Sequence, residues 1–150
     1  MSTVGREFLK GFARRHEGDQ RILTGKAPDP YFRILERRFP IVGSKIDWEK
    51  VPHAIVKGSN SENSEKYFRD ATTLLADVAK MERISEEEVV IAIGDSAMEE
   101  AVSLPLGVLI IGVREFLELP QHLYVMAEDG SWCFSFTMEG GLAFGRATRK

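Results

Sequence analysis

The sequence holds a single cysteine, Cys133, and three histidines, His16, His53 and His122, in 150 residues. One thiol excludes an intramolecular disulfide and a thiolate zinc cage. The histidines lie far apart, and no two have the i, i+4 spacing of a helical metal site. No metal and no cofactor are expected. Long apolar runs are missing as well. The longest apolar-rich window, 104–113, is far short of the roughly 20 residues that a membrane span needs. The first seven residues contain no apolar signal core. The expectation is a cytoplasmic protein with no membrane partner. G-x-S-x-G, P-loop, dinucleotide-binding and H-E-x-x-H motifs are all absent. That lowers the case for an enzyme.

What is present suits one folded domain spanning 1–150. Apolar residues make up 43% and charged residues 29%, so the chain carries enough apolar surface to escape disorder. The charge is unevenly distributed. Residues 1–50 contain 11 Lys/Arg against 7 Asp/Glu, whereas residues 51–100 contain 5 against 11. The acidic excess concentrates in 82–100, where Glu82, Glu86, Glu87, Glu88, Asp95, Glu99 and Glu100 face Arg83 alone. Such a patch repels nucleic acid and attracts basic partners. The plain alternative is a solvated face with Glu at a helix N-terminus. The basic N-terminal third lacks a phosphate loop and aromatic interleaving, so direct nucleic-acid binding is not expected.

Periodicity predicts the elements. Val4, Phe8, Leu9 and Phe12 recur at helical spacing over 3–16, with Gly18 as the stop. Residues 19–29 read as a loop. Asp29-Pro30 opens a helix that carries Tyr31, Phe32, Ile34, Leu35 and Phe39 and is stopped by Pro40. Residues 41–52 read as irregular and 53–58 as a short strand, followed by a polar loop over 58–64. Over 64–81, Tyr67, Phe68, Ala71, Leu74, Leu75, Val78 and Met81 trace one apolar stripe of a helix. The β-branched run 89–93 reads as a buried strand. Residues 97–103 fit a short helix or a strand, and 105–118 a helix with Pro105 in its first turn. Strands over 122–127, 131–138 and 142–147, joined by Asp129-Gly130 and Gly140-Gly141, make a C-terminal meander. Trp132, Phe134 and Phe136 share one face of the middle strand, and Cys133, Ser135 and Thr137 the other. The fold expected is α+β: an antiparallel sheet of about four to five strands, covered on one face by the helices at 64–81 and 105–118. The strand at 89–93 could pair in either direction.

Candidate chemistry is sparse. Asp95 follows a buried strand, where α/β enzymes place carboxylates. Equally, Gly94-Asp95-Ser96 is a turn, and Ser96 with Glu99 matches a capping box. His53 and His122 could meet if their strands were adjacent. Cys133 has no basic neighbour to lower its pKa and reads as a packing residue. The aromatic C-terminal hairpin reads as core, or else as an interface anchor.

The runs Glu87-Glu-Val-Val-Ile-Ala-Ile-Gly-Asp-Ser96, Leu117-Glu-Leu-Pro-Gln-His-Leu-Tyr-Val125 and Gly130-Ser-Trp-Cys-Phe-Ser-Phe-Thr-Met-Glu-Gly140 follow one another in this chain. In that order they resemble small bacterial immunity proteins. These are the antidotes encoded beside polymorphic toxins, including those of contact-dependent growth inhibition. The resemblance covers about 85–146. It implies a protein without catalytic residues or cofactor that binds a cognate toxin in the cytoplasm and blocks its active site or substrate path. Many such toxins are basic nucleases. Glu86, Glu87, Glu88, Asp95, Glu99 and Glu100 are then the candidate partner contacts, with the 58–64 loop as a second surface. Two other readings compete. One is a homo-oligomer, a homodimer at its simplest, joined through the C-terminal aromatic face. The other is a small hydrolase using Asp95 with a histidine.

Overall fold

A computed structural model describes residues 7, 8, 11, 12, 14, 15, 21–59 and 62–149. Seven strands form one antiparallel sheet. They are β1 (Leu23–Lys26), β4 (Ile55–Gly58), β5 (Val89–Gly94), β6 (Ala101–Pro105), β7 (Leu123–Ala127), β8 (Trp132–Phe136) and β9 (Gly141–Arg146), in the order β1-β6-β5-β7-β8-β9-β4. A separate two-stranded hairpin joins β2 (Ile41–Val42) to β3 (Lys45–Ile46). The helices are α1 (Asp29–Arg38), α2 (Ser64–Met81) and α3 (Leu106–Leu117). Residues 7, 8, 11, 12, 14 and 15 are also helical, while Gly18 and His16 fall outside the described residues.

The expected meander is present. β7, β8 and β9 pair in sequence, with Gly130 and Gly140 at φ +76° and +91° in the two turns, a backbone region that suits glycine. β5 pairs antiparallel with both β6 and β7, which settles its direction. The strand count is higher than the four or five expected, and two segments account for the difference. Residues 101–105 are a strand because each alternate side chain has an apolar layer to enter. Leu104 and Val102 enter one layer and Ala101 the other. Residues 23–26, read as loop, are the exposed edge strand β1, which buries no side chain and so leaves no alternation to detect. The segment 41–52, read as irregular, holds the β2–β3 hairpin and a 3₁₀ turn over Trp48–Lys50.

Helices α2 and α3 lie together on one sheet face, as their apolar stripes predict. Tyr67, Ala71, Leu74, Leu75 and Val78 of α2 are buried there with Leu109, Val113 and Phe116 of α3. Met81, placed on that stripe by spacing, is instead 61% exposed, and Ala79 is buried. Asn63 caps α2, its side-chain oxygen accepting the Lys66 N–H at 3.1 Å. Pro105 ends β6 and serves as N-cap of α3 rather than lying in its first turn.

The two helices expected on one face are there, and the other face is covered as well. The opposite face is roofed by α1, the β2–β3 hairpin and the 3₁₀ turn, over Ile91, Ile93, Tyr124, Met126 and Cys133. Leu35 and Phe39 of α1 are its anchors. Trp48 pins the 3₁₀ turn by donating its indole N–H to Ser135 Oγ at 2.9 Å. A Cβ at Gly145 would come within 2.8 Å of the Trp48 ring, so β9 is bare at that point to admit it. Among the described residues no helix is long and apolar enough to cross a membrane.

Candidate functional site

Strand β5 divides the acidic stretch. Its six residues rise about 3.3 Å each, so the carboxylates before and after it stand about 20 Å apart. Glu86, Glu87 and Glu88 occupy the turn that enters β5. Asp95, Glu99 and Glu100 occupy the loop that leaves it towards β6. The length of β5 keeps the two groups apart.

At the entering end, the β7–β8 turn adds Glu128 and Asp129. Glu82, Glu88, Glu128 and Asp129 line a surface depression of about 520 Å³, with Arg83 and Arg146 as its cations. Arg146 is spent on Glu82 at 2.7 Å, and Arg21 on Glu87 at 2.5 Å. Glu86, Glu88 and Glu128 have no ion pair among the described residues. Asp129 Oδ1 accepts the Ser131 N–H at 2.9 Å, and the hydrogen bonds from Ser131 hold its carboxyl below the ordinary range. This corner is exposed, acidic and shallow.

At the leaving end, the loop is tightly built. Asp95 Oδ1 accepts the His122 backbone N–H at 2.9 Å, and the Asp95 N–H reaches the His122 carbonyl at 3.2 Å. The His122 ring is engaged elsewhere. Its Nδ1 accepts the Met138 N–H at 3.0 Å, which leaves the proton of the neutral ring on Nε2. The Asp95–imidazole pair required by the hydrolase reading is therefore not formed. His53 precedes β4, which is separated from β7 by β8 and β9, so the two histidines do not meet. Residues 97–100 are not helical, and the expected capping box is absent; Ser96 Oγ instead donates to the Pro120 carbonyl at 3.1 Å. Gln121 completes the loop. Its Oε1 accepts both the Ala97 and Met98 N–H groups at 3.0 Å. It lies so close over Gly94 that a Cβ there would sit 1.9 Å from that oxygen.

Beside this loop, under the edge of the α1 roof, opens a cleft of about 330 Å³. Leu35, Ile46 and Tyr124 form its buried lining, with Phe32 set edge-on to Tyr124 at 5.9 Å. Asp29, Glu36 and Asp95 stand on its rim, and no basic residue lines it. Tyr124 is 4% exposed, yet its hydroxyl has no hydrogen-bond partner among the described residues. Burial pushes the Tyr124 hydroxyl pKa up, and the charges of Cys133 and Asp95 push it the same way. Asp29, Glu36 and Tyr124 escaped the sequence reading as a group. They lie on one helix and a strand about 90 residues further on, and no local spacing joins them.

The remaining candidates fall to structural roles. Trp132, Phe134, Phe136 and Phe144 are buried beneath α2 and α3, so the aromatic hairpin is core and cannot be a subunit contact. Cys133 is fully buried, and burial pushes its thiol pKa up, the opposite of an activated nucleophile. The polar loop after β4 is described only in part. In it Ser59 Oγ donates to Asp70 at 2.6 Å, anchoring the loop to α2. No group of three or more metal-ligating side chains occurs among the described residues.

No protein-family model, curated protein or solved structure matches this chain.

Proposed function

We propose that the protein is a toxin-neutralising immunity protein: a cytoplasmic binding module that captures a cognate basic, nuclease-type toxin domain and blocks its active site or substrate path. The observation that supports this reading is the acidic corner at the entry of β5. There Glu86, Glu88 and Glu128 stand on exposed turns and make no ion pair among the described residues. Fixed carboxylates of one sign speed the capture of a basic partner and bias partner choice. A carboxylate so placed can pair with a Lys, Arg or His that the toxin needs for its own chemistry. Asp95, Glu99 and Glu100 lie at the far end of β5 and extend the acidic surface to a second region.

The test is co-expression of the tagged protein with the product of the neighbouring gene. A stable one-to-one complex and restored growth are expected. The double charge reversal Glu86→Lys/Glu88→Lys should slow association at low salt by about tenfold. Rescue with unchanged association kinetics would move the interface away from this corner. No complex and no rescue would overturn the reading itself.

A further inference from the structure

The cleft at the opposite end of β5 shares only Asp95 with the toxin reading. Its floor is apolar, its rim carries three carboxylates, and its wall includes Tyr124, whose ring is buried and whose hydroxyl opens to the cleft with no partner among the described residues. A hydroxyl that opens into a cleft without a protein partner is free to bond a ligand, at a net worth of about 1 kcal/mol. The three carboxylates converge on no common metal-ligating point. They suit a diffuse organic cation better than a compact ion. Phe32 and Tyr124 offer aromatic surface to the same space. Asp95 has one oxygen committed to the His122 N–H, which fixes the carboxylate and leaves Oδ2 for a ligand. The volume of about 330 Å³ falls in the range of small-molecule sites.

We infer that this cleft is a binding site for a guanidinium or alkylammonium group on an apolar stem. The cation is held between Asp95, Glu36 and Asp29, the stem lies on Leu35 and Phe32, and a polar group of the ligand meets the Tyr124 hydroxyl. The chemistry could be supplied by a free amine or by an arginine side chain presented on a peptide. The inference stands on the cleft alone and does not depend on the toxin reading.

Agmatine, N-acetyl-arginine methylamide and the neutral isostere N-butylurea serve as probes, titrated into the full chain and followed by NMR at the Tyr124 and Phe32 rings and the Gly43 amide. Saturable shifts are expected with the two guanidinium probes and not with the urea. Tighter binding of agmatine identifies a free amine as the ligand source, and tighter binding of the capped arginine identifies a peptide. Glu36→Gln, on an exposed position, and Asp95→Asn, which keeps an oxygen for the His122 N–H, should each weaken binding about tenfold. Tyr124→Phe should weaken it about threefold. Equal binding of the urea, guanidinium binding that survives both carboxylate variants, or no shift with any probe would overturn the inference.

Discussion

The two faces of the sheet are roofed differently, and the difference sets how tightly each is packed. On one face α2 and α3, with 18 and 12 residues, close over Trp132, Phe134, Phe136 and Phe144. Phe134 meets Phe144 at 4.7 Å between ring centroids and stacks on Phe136 at 6.2 Å. Two helices packed side by side fill the space between their ridges, and aromatic pairs add to the burial. On the other face the roof is a single 10-residue helix, a hairpin of two-residue strands and one 3₁₀ turn. These short pieces cannot tile a seven-stranded sheet. The acid-rimmed cleft lies in the gap between α1 and the hairpin. The first face has its depression, of about 400 Å³, at the margin where the start of α2 and the end of α3 meet the segments before β7 and after β8; the second has its cleft within the roof.

Truncation should expose that contrast most strongly. Phe134→Ala empties a site enclosed by three aromatic rings, and large-to-small changes of this kind cost about 3–5 kcal/mol. Leu35→Ala enlarges a cleft that water already reaches, so its loss should lie near the lower bound of about 2 kcal/mol for such a change. Urea unfolding of both variants measures the gap. Equal losses would mean that the two faces are packed alike and that the cleft is closed in solution.

Alkali should weaken both faces, beginning with the second. Burial raises the pKa of Cys133 above its ordinary 9.0, and the unfolded thiol ionises first. Folded pKa above unfolded pKa means that the stabilising difference is intact below pH 9 and is lost as pH rises beyond it. Tyr67, pushed up from 10.0 to about 12 by burial and then by the charge of Glu139, adds its own loss between those two values. Each group contributes a slope of up to about 1.4 kcal/mol per pH unit across its window. Stability measured from pH 7 to 11 should be flat and then fall from about 9, and Cys133→Ala should delay the onset by about one unit. An onset unchanged in that variant would assign the early limb to another group.

How much of this was legible depends on burial periodicity. The stripe on α2 and the alternation in β7 and β8 are visible in sequence because each element buries one consistent set of side chains. β1 buries nothing, β2 and β3 hold two residues each, and neither period can register over such lengths. The second roof was therefore invisible, and with it the cleft. The acidic residues were legible as a charge excess, but their division into two sites required the length of β5. Gly94-Asp95-Ser96 reads both as a turn and as a place for a catalytic carboxylate, and Asp95 serves the turn by accepting the His122 backbone N–H.

The smallest effect isolates one hydroxyl on each face. Tyr67, beneath the helix pair, donates its O–H to the Thr137 carbonyl at 2.9 Å. Tyr124, in the cleft wall, donates to nothing among the described residues. Both rings are buried, so replacement by phenylalanine removes only the oxygen. Tyr67→Phe breaks a bond, at about 1 kcal/mol, while the Thr137 carbonyl keeps the Gly140 N–H at 3.1 Å. Tyr124→Phe breaks no bond and discards a polar atom from an apolar wall, so its stability should stay within about 0.5 kcal/mol of the parent chain. Thermal unfolding of the pair reads the difference directly. A loss at Tyr124 equal to that at Tyr67 would mean that its hydroxyl is satisfied in solution by water or by a neighbour, and the cleft would then have no free group to offer a ligand. A silent Tyr124→Phe leaves that hydroxyl free for binding.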